Sequence, residues 1–270
     1  MPRRVFARAI RLRDRLRWFL LPLRYARGYA FARNWKECAA AKPSESPSSN
    51  TPSPENPLWN YFTGLTEGHG IWKWEHYFDI YHRHLSRFVG SPVNLLEIGI
   101  YSGGSLNMWS SYFGDRCHIY GVDIEEACMA YESENVTVFI GDQGDPGFWT
   151  RFNSEVQGID ILIDDGGHMP NQQMVTLEKM LPQLRPGGVY LCEDVHGIHH
   201  EFVAYANGLI AELNKTSSRD VLGRETTPFQ SSCHSIHFYP YVVVIEKHLH
   251  APSSFDAPKH GTQWQPFFTA

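Results

Sequence analysis

Between Trp72 and Lys247 the hydrophobic positions change period repeatedly, and each change marks an element. Short apolar runs of strand length, VNLLEIGI (93–100), HIYGVD (118–123), VTVFIGD (136–142), GIDILIDD (158–165) and GVYLCED (188–194), recur along the chain. Between them lie stretches whose apolar residues return every three or four positions. These are GGSLNMWSSYF (103–113), IEEACMAY (124–131), PGFWTRFNSEV (146–156) and NQQMVTLEKMLPQL (171–184), with WKWEHYFDIYHRHLSRF (72–88) ahead of the first strand. Strands that are apolar throughout have both faces covered, so this βαβα order predicts a parallel sheet between two layers of helices. A further helix is expected over about 200–214, then a polar loop and two strands, SIHFY (235–239) and YVVVIEK (241–247). Only Pro240 separates that last pair, too little for a helical crossover, so they should form an antiparallel hairpin at the sheet edge. The expected class is α/β, a mostly parallel seven-stranded sheet with a C-terminal antiparallel hairpin.

Ahead of this body the pattern is different. Val5, Ala9, Leu12, Leu16, Phe19 and Leu23 recur at helical spacing with arginines between them, predicting a basic amphipathic helix. Its apolar centre, WFLLPL, is too short to span a bilayer and contains Pro22. Three uses stay open: peripheral contact of residues 1–25 with an anionic membrane, packing on the body or on a twin subunit, or a transit peptide. AKPSESPSSNTPSPENP (41–57) reads as a flexible linker. The expected plan is therefore a helical extension (1–37), a linker (38–58), one domain (59–250) and a tail (251–270). Self-association into a homo-oligomer is also expected.

Charge sharpens the division. Met1–Lys36 carries 11 Lys and Arg against the single acid Asp14, a charge of +10, while the remainder is −15, which disfavours nucleic acid as the body's partner. Five cysteines, 38, 117, 128, 192 and 233, include no CxxC pair. Cys117 and Cys192 fall in strand-like runs and read as buried free thiols, which places the chain in a reducing, cytoplasmic setting, membrane-peripheral if the helix docks there.

The candidate chemistry sits at strand ends, where open α/β sheets bind ligands. After the first strand, EIGIYSGGS places Glu97 before a turn made by Gly99, Gly103, Gly104 and Ser105. That spacing is not GxGxxG, and Glu97 would repel a pyrophosphate while suiting an amine-bearing ligand. Asp123 ends the second strand, where a carboxylate can accept from two ribose hydroxyls or cap the next turn. Asp142 and Gln143 end the third, placed for an adenine amino group, and Asp145 should cap the following helix. Acidic ends in a row suit a nucleoside without phosphates, for which S-adenosylmethionine is the natural candidate. No second βαβαβ half follows, so a dinucleotide-binding fold is disfavoured, and five alternating strands closed by a hairpin is the Rossmann-like class I methyltransferase layout.

IDDGGH (163–168) ends the fourth strand and ED (193–194) the fifth. Strands four and five should be neighbours, so Asp165, Glu193 and Asp194 can converge as an all-oxygen set for Mg²⁺ or Mn²⁺, with His168 beside them. The glycines of IDDGGH are expected to clear space for substrate and cofactor.

LLEIGIYSGGSLNMW, GVDI, FIGDQGDPGFW, ILIDDGGH, LRPGGVYLCEDV and SIHFYPYVVVIEK together resemble the metal-dependent sugar O-methyltransferases of macrolide biosynthesis, of the mycinamicin and tylosin type. The similarity runs from about Trp72 to Lys247, and DDGxH with ED is its most specific part. The resemblance implies that Asp165, Glu193 and Asp194 hold Mg²⁺ and that His168 is the general base. Asp164 would face the methionine end of the cofactor, and the acceptor is a small molecule bearing a hydroxyl, expected to be a sugar.

The departures lie near the acceptor. His196, His199 and His200 could form a polar lid or a second metal site. Trp72, Trp74, Tyr77 and Tyr81 could be core residues or aromatic platforms for a sugar. Two rival readings keep the same residues: an iron-dependent hydroxylase using His168 with carboxylates as its triad, and a noncatalytic, membrane-docked binding protein.

Overall fold

In the computed structural model the described residues are 25–34, 55–197, 200–216, 225–258 and 260–261. The chain divides into two units, Met1–Ser49 and Asn50–Ala270. In the first, residues 25–33 form an exposed helix, α1. The helix expected over residues 5–23, Cys38, most of the linker and His199 lie outside the described residues. Among the described residues no helix is long and apolar enough to cross a membrane.

The second unit contains helices α2 (Pro57–Gly64) and α3 (Tyr77–Leu85), then β1 (Val93–Ile98), α4 (Gly104–Phe113), β2 (Cys117–Asp123) and β3 (Val136–Ile140). There follow α5 (Pro146–Glu155), β4 (Ile159–Asp164), α6 (Pro170–Met180), β5 (Leu184–Cys192), α7 (Glu201–Leu213), the short α8 (Pro228–Ser232), β6 (Cys233–Tyr239) and β7 (Val242–Lys247). The sheet order is β3-β2-β1-β4-β5-β7-β6. The first five strands are parallel, and β7 pairs antiparallel with both β5 and β6. The expected α/β sheet of seven strands with a closing hairpin is the one observed.

Register decides where the chemistry gathers. Ile98 pairs with Asp164, Asp164 with Cys192, and Asp123 with Ile140, so the strands end level and their loops share one rim. The interior is two apolar layers. One packs α2, α3 and α4 residues such as Phe78, Tyr81 and Trp109 on the sheet; the other packs α5, α6 and α7 residues such as Trp149, Leu177 and Phe202. Cys117 and Cys192 are buried free thiols, as are Cys128 and Cys233.

Two elements differ from the sequence reading. The helix expected from Trp72 begins only at Tyr77, because residues 72–76 leave helical geometry and spread over the rim. Helix α2 begins at Pro57, where a linker was expected. Asn56 is buried as its cap: its Oδ1 accepts from Leu58 N at 3.0 Å, and its Nδ2 donates to Phe78 O at 2.9 Å.

Helix α3 is lashed to the hairpin by Glu246. His84 Nδ1 lies 3.0 Å from Glu246 Oε1 and Arg87 donates to the same oxygen at 2.9 Å, while His84 Nε2 meets Tyr239 Oη at 2.9 Å. The His84 hydrogen bond and the Arg87 charge outweigh burial and hold the Glu246 pKa down at about 2. A carboxyl depressed from 4.5 in this way stabilises the fold fully above pH 4.5 and progressively less as pH falls toward 2. Glu246→Gln should therefore cost about 2 kcal/mol at pH 7. In urea melts that difference from wild type should shrink below pH 4.5; a gap independent of pH would assign the loss to packing.

Candidate functional site

The rim is assembled from β1 outward. Gly99 follows β1 with φ +88°, and a Cβ there would lie 2.1 Å from the carbonyl oxygen of Asp165. Glycine is required because the β1 and β4 loops touch backbone to backbone. The turn beyond it is tied to β2, since Asp123 Oδ2 accepts from Ile100 N at 2.8 Å and Tyr101 N at 3.1 Å. Asp123 Oδ1 accepts from Glu125 N at 3.0 Å, an Asx turn ahead of the short 3₁₀ helix Glu126–Tyr131, whose cap position is Glu125 and not Asp123 as expected. Gly103 caps α4 with φ +74°, and Gly104 lies against the carbonyls of His69 and Gly70.

Glu97 is fully buried. Its carboxylate accepts from Ser105 Oγ at 2.9 Å and Trp109 Nε1 at 3.1 Å, and burial raises its pKa against the opposing pull of Lys73. Glu97 and Ser105 thus stiffen the glycine turn from beneath.

At the end of β3, Asp142 Oδ1 accepts from Gly144 N at 2.7 Å and Asp145 caps α5 as expected. Gln143 turns inward. Its Nε2 donates to Asp164 Oδ1 at 2.8 Å and to Thr176 Oγ1 at 3.2 Å, and its Oε1 accepts from Gly167 N at 2.7 Å. Its amide is engaged by the IDDGGH loop rather than facing the rim. A Cβ on Gly166 would sit 1.9 Å from that Oε1, so this glycine is required by Gln143. The glycines expected to admit ligand are filled by the chain's own groups.

Asp164 is also buried, accepting from Gln143 and from Tyr190 Oη at 3.1 Å. Burial pushes its pKa up to about 6, against the lowering by those two bonds.

Beyond it the carboxylates converge. His168 Nε2 lies 3.6 Å from Asp194 Oδ2 and 4.0 Å from Asp165 Oδ1. One donor atom from each of Asp165, His168 and Asp194 falls within 4.8 Å of the others. Such a set fits a divalent cation, with a nitrogen that favours Mn²⁺ more than an all-oxygen set would. His168 Nδ1 is buried without a hydrogen-bond partner among the described residues. Glu193 shares the cluster from inside: it is fully buried, Oε1 accepting from Tyr81 Oη at 2.7 Å and Oε2 from Lys73 Nζ at 3.0 Å. Burial and Asp165 raise its pKa well above the carboxylate range, while Lys73 and Tyr81 oppose the rise.

Four donors from one stretch hold these acids. Lys73 Nζ bonds Asp165 Oδ2 at 2.5 Å, Trp74 Nε1 bonds Asp194 Oδ1 at 3.0 Å and Tyr77 Oη bonds the same oxygen at 2.7 Å, alongside Tyr81 on Glu193. The choice left open for the aromatics is settled for two of them: Tyr77 and Tyr81 are buried with their hydroxyls on the carboxylates, while Trp72 is 86% exposed. Sequence reasoning missed Lys73. It lies ahead of α3, outside the helical period, and meets its partners only across 92 and 120 residues. His196 approaches Asp194 at 4.0 Å, and among the described residues it forms no second metal cluster with His200.

A family model described as a methyltransferase domain matches residues 96–195, which run from β1 through the ED pair. The chain is 39% identical over 122 residues to demethylmacrocin O-methyltransferase of Streptomyces fradiae, covering 43% of this chain and 30% of that protein. It is 31% identical over 205 residues to the 8-demethyl-8-alpha-L-rhamnosyl tetracenomycin-C 2'-O-methyltransferase of Streptomyces olivaceus, covering 68% of this chain and 54% of that protein. Among solved structures, the MycE methyltransferase of the mycinamycin pathway, in complex with Mg and SAH, superposes with a TM-score of 0.60 at 26% identity, covering 73% of this chain and 54% of that one. The matched part spans about half of these relatives or less. The resemblance to macrolide sugar O-methyltransferases read from the motifs is the one found.

Gln143→Leu should cost about 2 kcal/mol in thermal or urea unfolding, because Gly167 N–H and Asp164 lose their partners in a buried site. Unchanged stability with weakened S-adenosylmethionine binding would instead make Gln143 a ligand contact.

Proposed function

We propose that this chain is a divalent-metal-dependent O-methyltransferase that moves a methyl group from S-adenosylmethionine to a hydroxyl of a sugar on a glycosylated small molecule. The observation that carries the reading is the meeting of Asp165, His168 and Asp194, with Glu193 behind them, on the same rim as the Gly99–Gly104 turn and Asp123. Relatives named for 2'-O-methylation of a rhamnosyl group and for demethylmacrocin support the acceptor class.

Asp123 would accept from ribose hydroxyls and Asp142 from an adenine amino group, each adding to the backbone bonds already described. Asp165 and Asp194 would hold the cation, joined by Glu193. Such a cation lowers the pKa of a bound hydroxyl and orients it, and the sulfonium supplies the methyl. His168 would take the hydroxyl proton at Nε2, on the side facing Asp165 and Asp194. The remaining work is alignment, which the interlocked β1 and β4 loops favour. The iron-dependent hydroxylase reading would give Asp123 and Asp142 no ligand to bind, and the methyltransferase-domain match weighs against it. Membrane contact through residues 1–25 and self-association are also proposed, testable by liposome sedimentation and by light scattering.

One observation favours a second role for His168. At 3.6 and 4.0 Å from two carboxylates it is placed to ligate the cation instead of acting as base. His168→Ala separates the roles. As base, its loss should lower kcat by about 10²–10⁴, with partial rescue at higher pH and Mn²⁺ affinity unchanged. As ligand, its loss should weaken Mn²⁺ binding itself. Methyl transfer to a glycosylated polyketide should vanish in EDTA and return with Mg²⁺ or Mn²⁺; full turnover in chelator would refute the metal-dependent reading. Asp123→Ala should weaken S-adenosylmethionine binding by about 1.5–3 kcal/mol in calorimetry, and undiminished affinity in a folded variant would remove the ribose assignment.

A further inference from the structure

The stretch ahead of α3 already carries a cation into the carboxylate cluster. Lys73 Nζ lies 2.5 Å from Asp165 Oδ2 and 3.0 Å from Glu193 Oε2, with its side chain only 4% exposed. Both Glu193 oxygens already carry a donor, Lys73 on Oε2 and Tyr81 on Oε1. Asp165 stands between two positions: Oδ2 belongs to Lys73, while Oδ1 faces His168 and Asp194. A divalent ion shared by Asp165, Glu193 and Asp194 would stand within a few ångströms of the ammonium. At that separation in a buried site, like charges repel by several kcal/mol.

We propose that Lys73 is a resident counter-ion that a divalent cation exchanges out of the cluster. Metal-free, the ammonium neutralises acids that would otherwise repel one another. On metal entry, the cation takes Asp165 and Glu193, and the Lys73 side chain leaves toward Trp72 and Trp74. Residues 72–74 belong to neither α3 nor the sheet, and Trp72 is 86% and Trp74 49% exposed, so the side chain can leave without disturbing the layers beneath. This rests on the reading that a divalent cation binds here. The opposite arrangement, in which Lys73 stays in place and steadies the metal's ligands, predicts the opposite sign of effect.

Calorimetric titration of Mn²⁺ alone, without methyl donor, into the wild-type chain and Lys73→Met distinguishes them. Exchange predicts Mn²⁺ binding about tenfold or more tighter in Lys73→Met, where the competing charge is gone. Equal or weaker binding in the variant overturns exchange while leaving the metal reading intact. Absence of Mn²⁺ binding to both proteins overturns the metal reading and the exchange with it. Should Lys73→Met fail to fold, the wild-type chain decides: acylation of Lys73, read by peptide mass, should rise several-fold on Mn²⁺ saturation, and unchanged protection overturns the proposal.

Discussion

Carboxylates brought to one end of a parallel sheet repel one another, and much of this molecule is arranged around that repulsion. Asp165, Glu193 and Asp194 meet because β4 and β5 are neighbours in register. Leaving them charged and unpaired in a buried site would cost several kcal/mol. The compensation comes from outside the sheet, in Lys73, Trp74, Tyr77 and Tyr81. That is why the loop before α3 departs from helical geometry, and why α3 is fastened to the hairpin through Glu246, His84 and Arg87. The lashing of a helix far from the chemistry keeps its donors over the acids.

Strain gathers at the same place. Tyr101, His168 and Asp194 adopt left-handed backbone at φ +50°, +55° and +53°, a region costly for residues with a Cβ. Each lies two to four residues past a strand end, in a loop that turns back over the rim instead of following the pleat. The surrounding bonds over-determine them: Asp123 on the Tyr101 amide, Gln143 on the loop before His168, and Tyr77 on Asp194. Backbone energy of about 1–3 kcal/mol at each position is thereby exchanged for a fixed direction of these side chains.

This arrangement also separates groups that one motif places side by side. Asp164 and Asp165 are adjacent in sequence, yet the pleat sends Asp164 into the interior with Gln143 and Tyr190 and leaves Asp165 on the rim with Lys73 and His168. Glu193 and Asp194 divide in the same way, one wholly buried on Tyr81 and one facing His168. Adjacent acids thus serve two purposes, one building the loop and one presenting charge.

The order of elements, the parallel sheet, the closing hairpin and the acidic strand ends were legible along the chain. Hydrophobic period reports which face of an element is buried, and a strand's end is a local fact. Asp165, Asp194 and His168 were likewise visible, because a motif at the ends of neighbouring strands brings its members together whatever lies around it. Lys73 was not, nor was the inward turn of Gln143 and Glu193. Lys73 meets Glu193 across 120 residues and Gln143 meets Gly167 across 24, and no local period encodes which polar groups pair across the rim. The glycines show the same division. Their presence announced a close approach, but only the folded chain revealed that what approaches is the Asp165 carbonyl and the Gln143 amide. Local pattern determined which residues could carry charge to the rim; long-range pairing, driven by the cost of leaving buried charge unmatched, decided which of them face it.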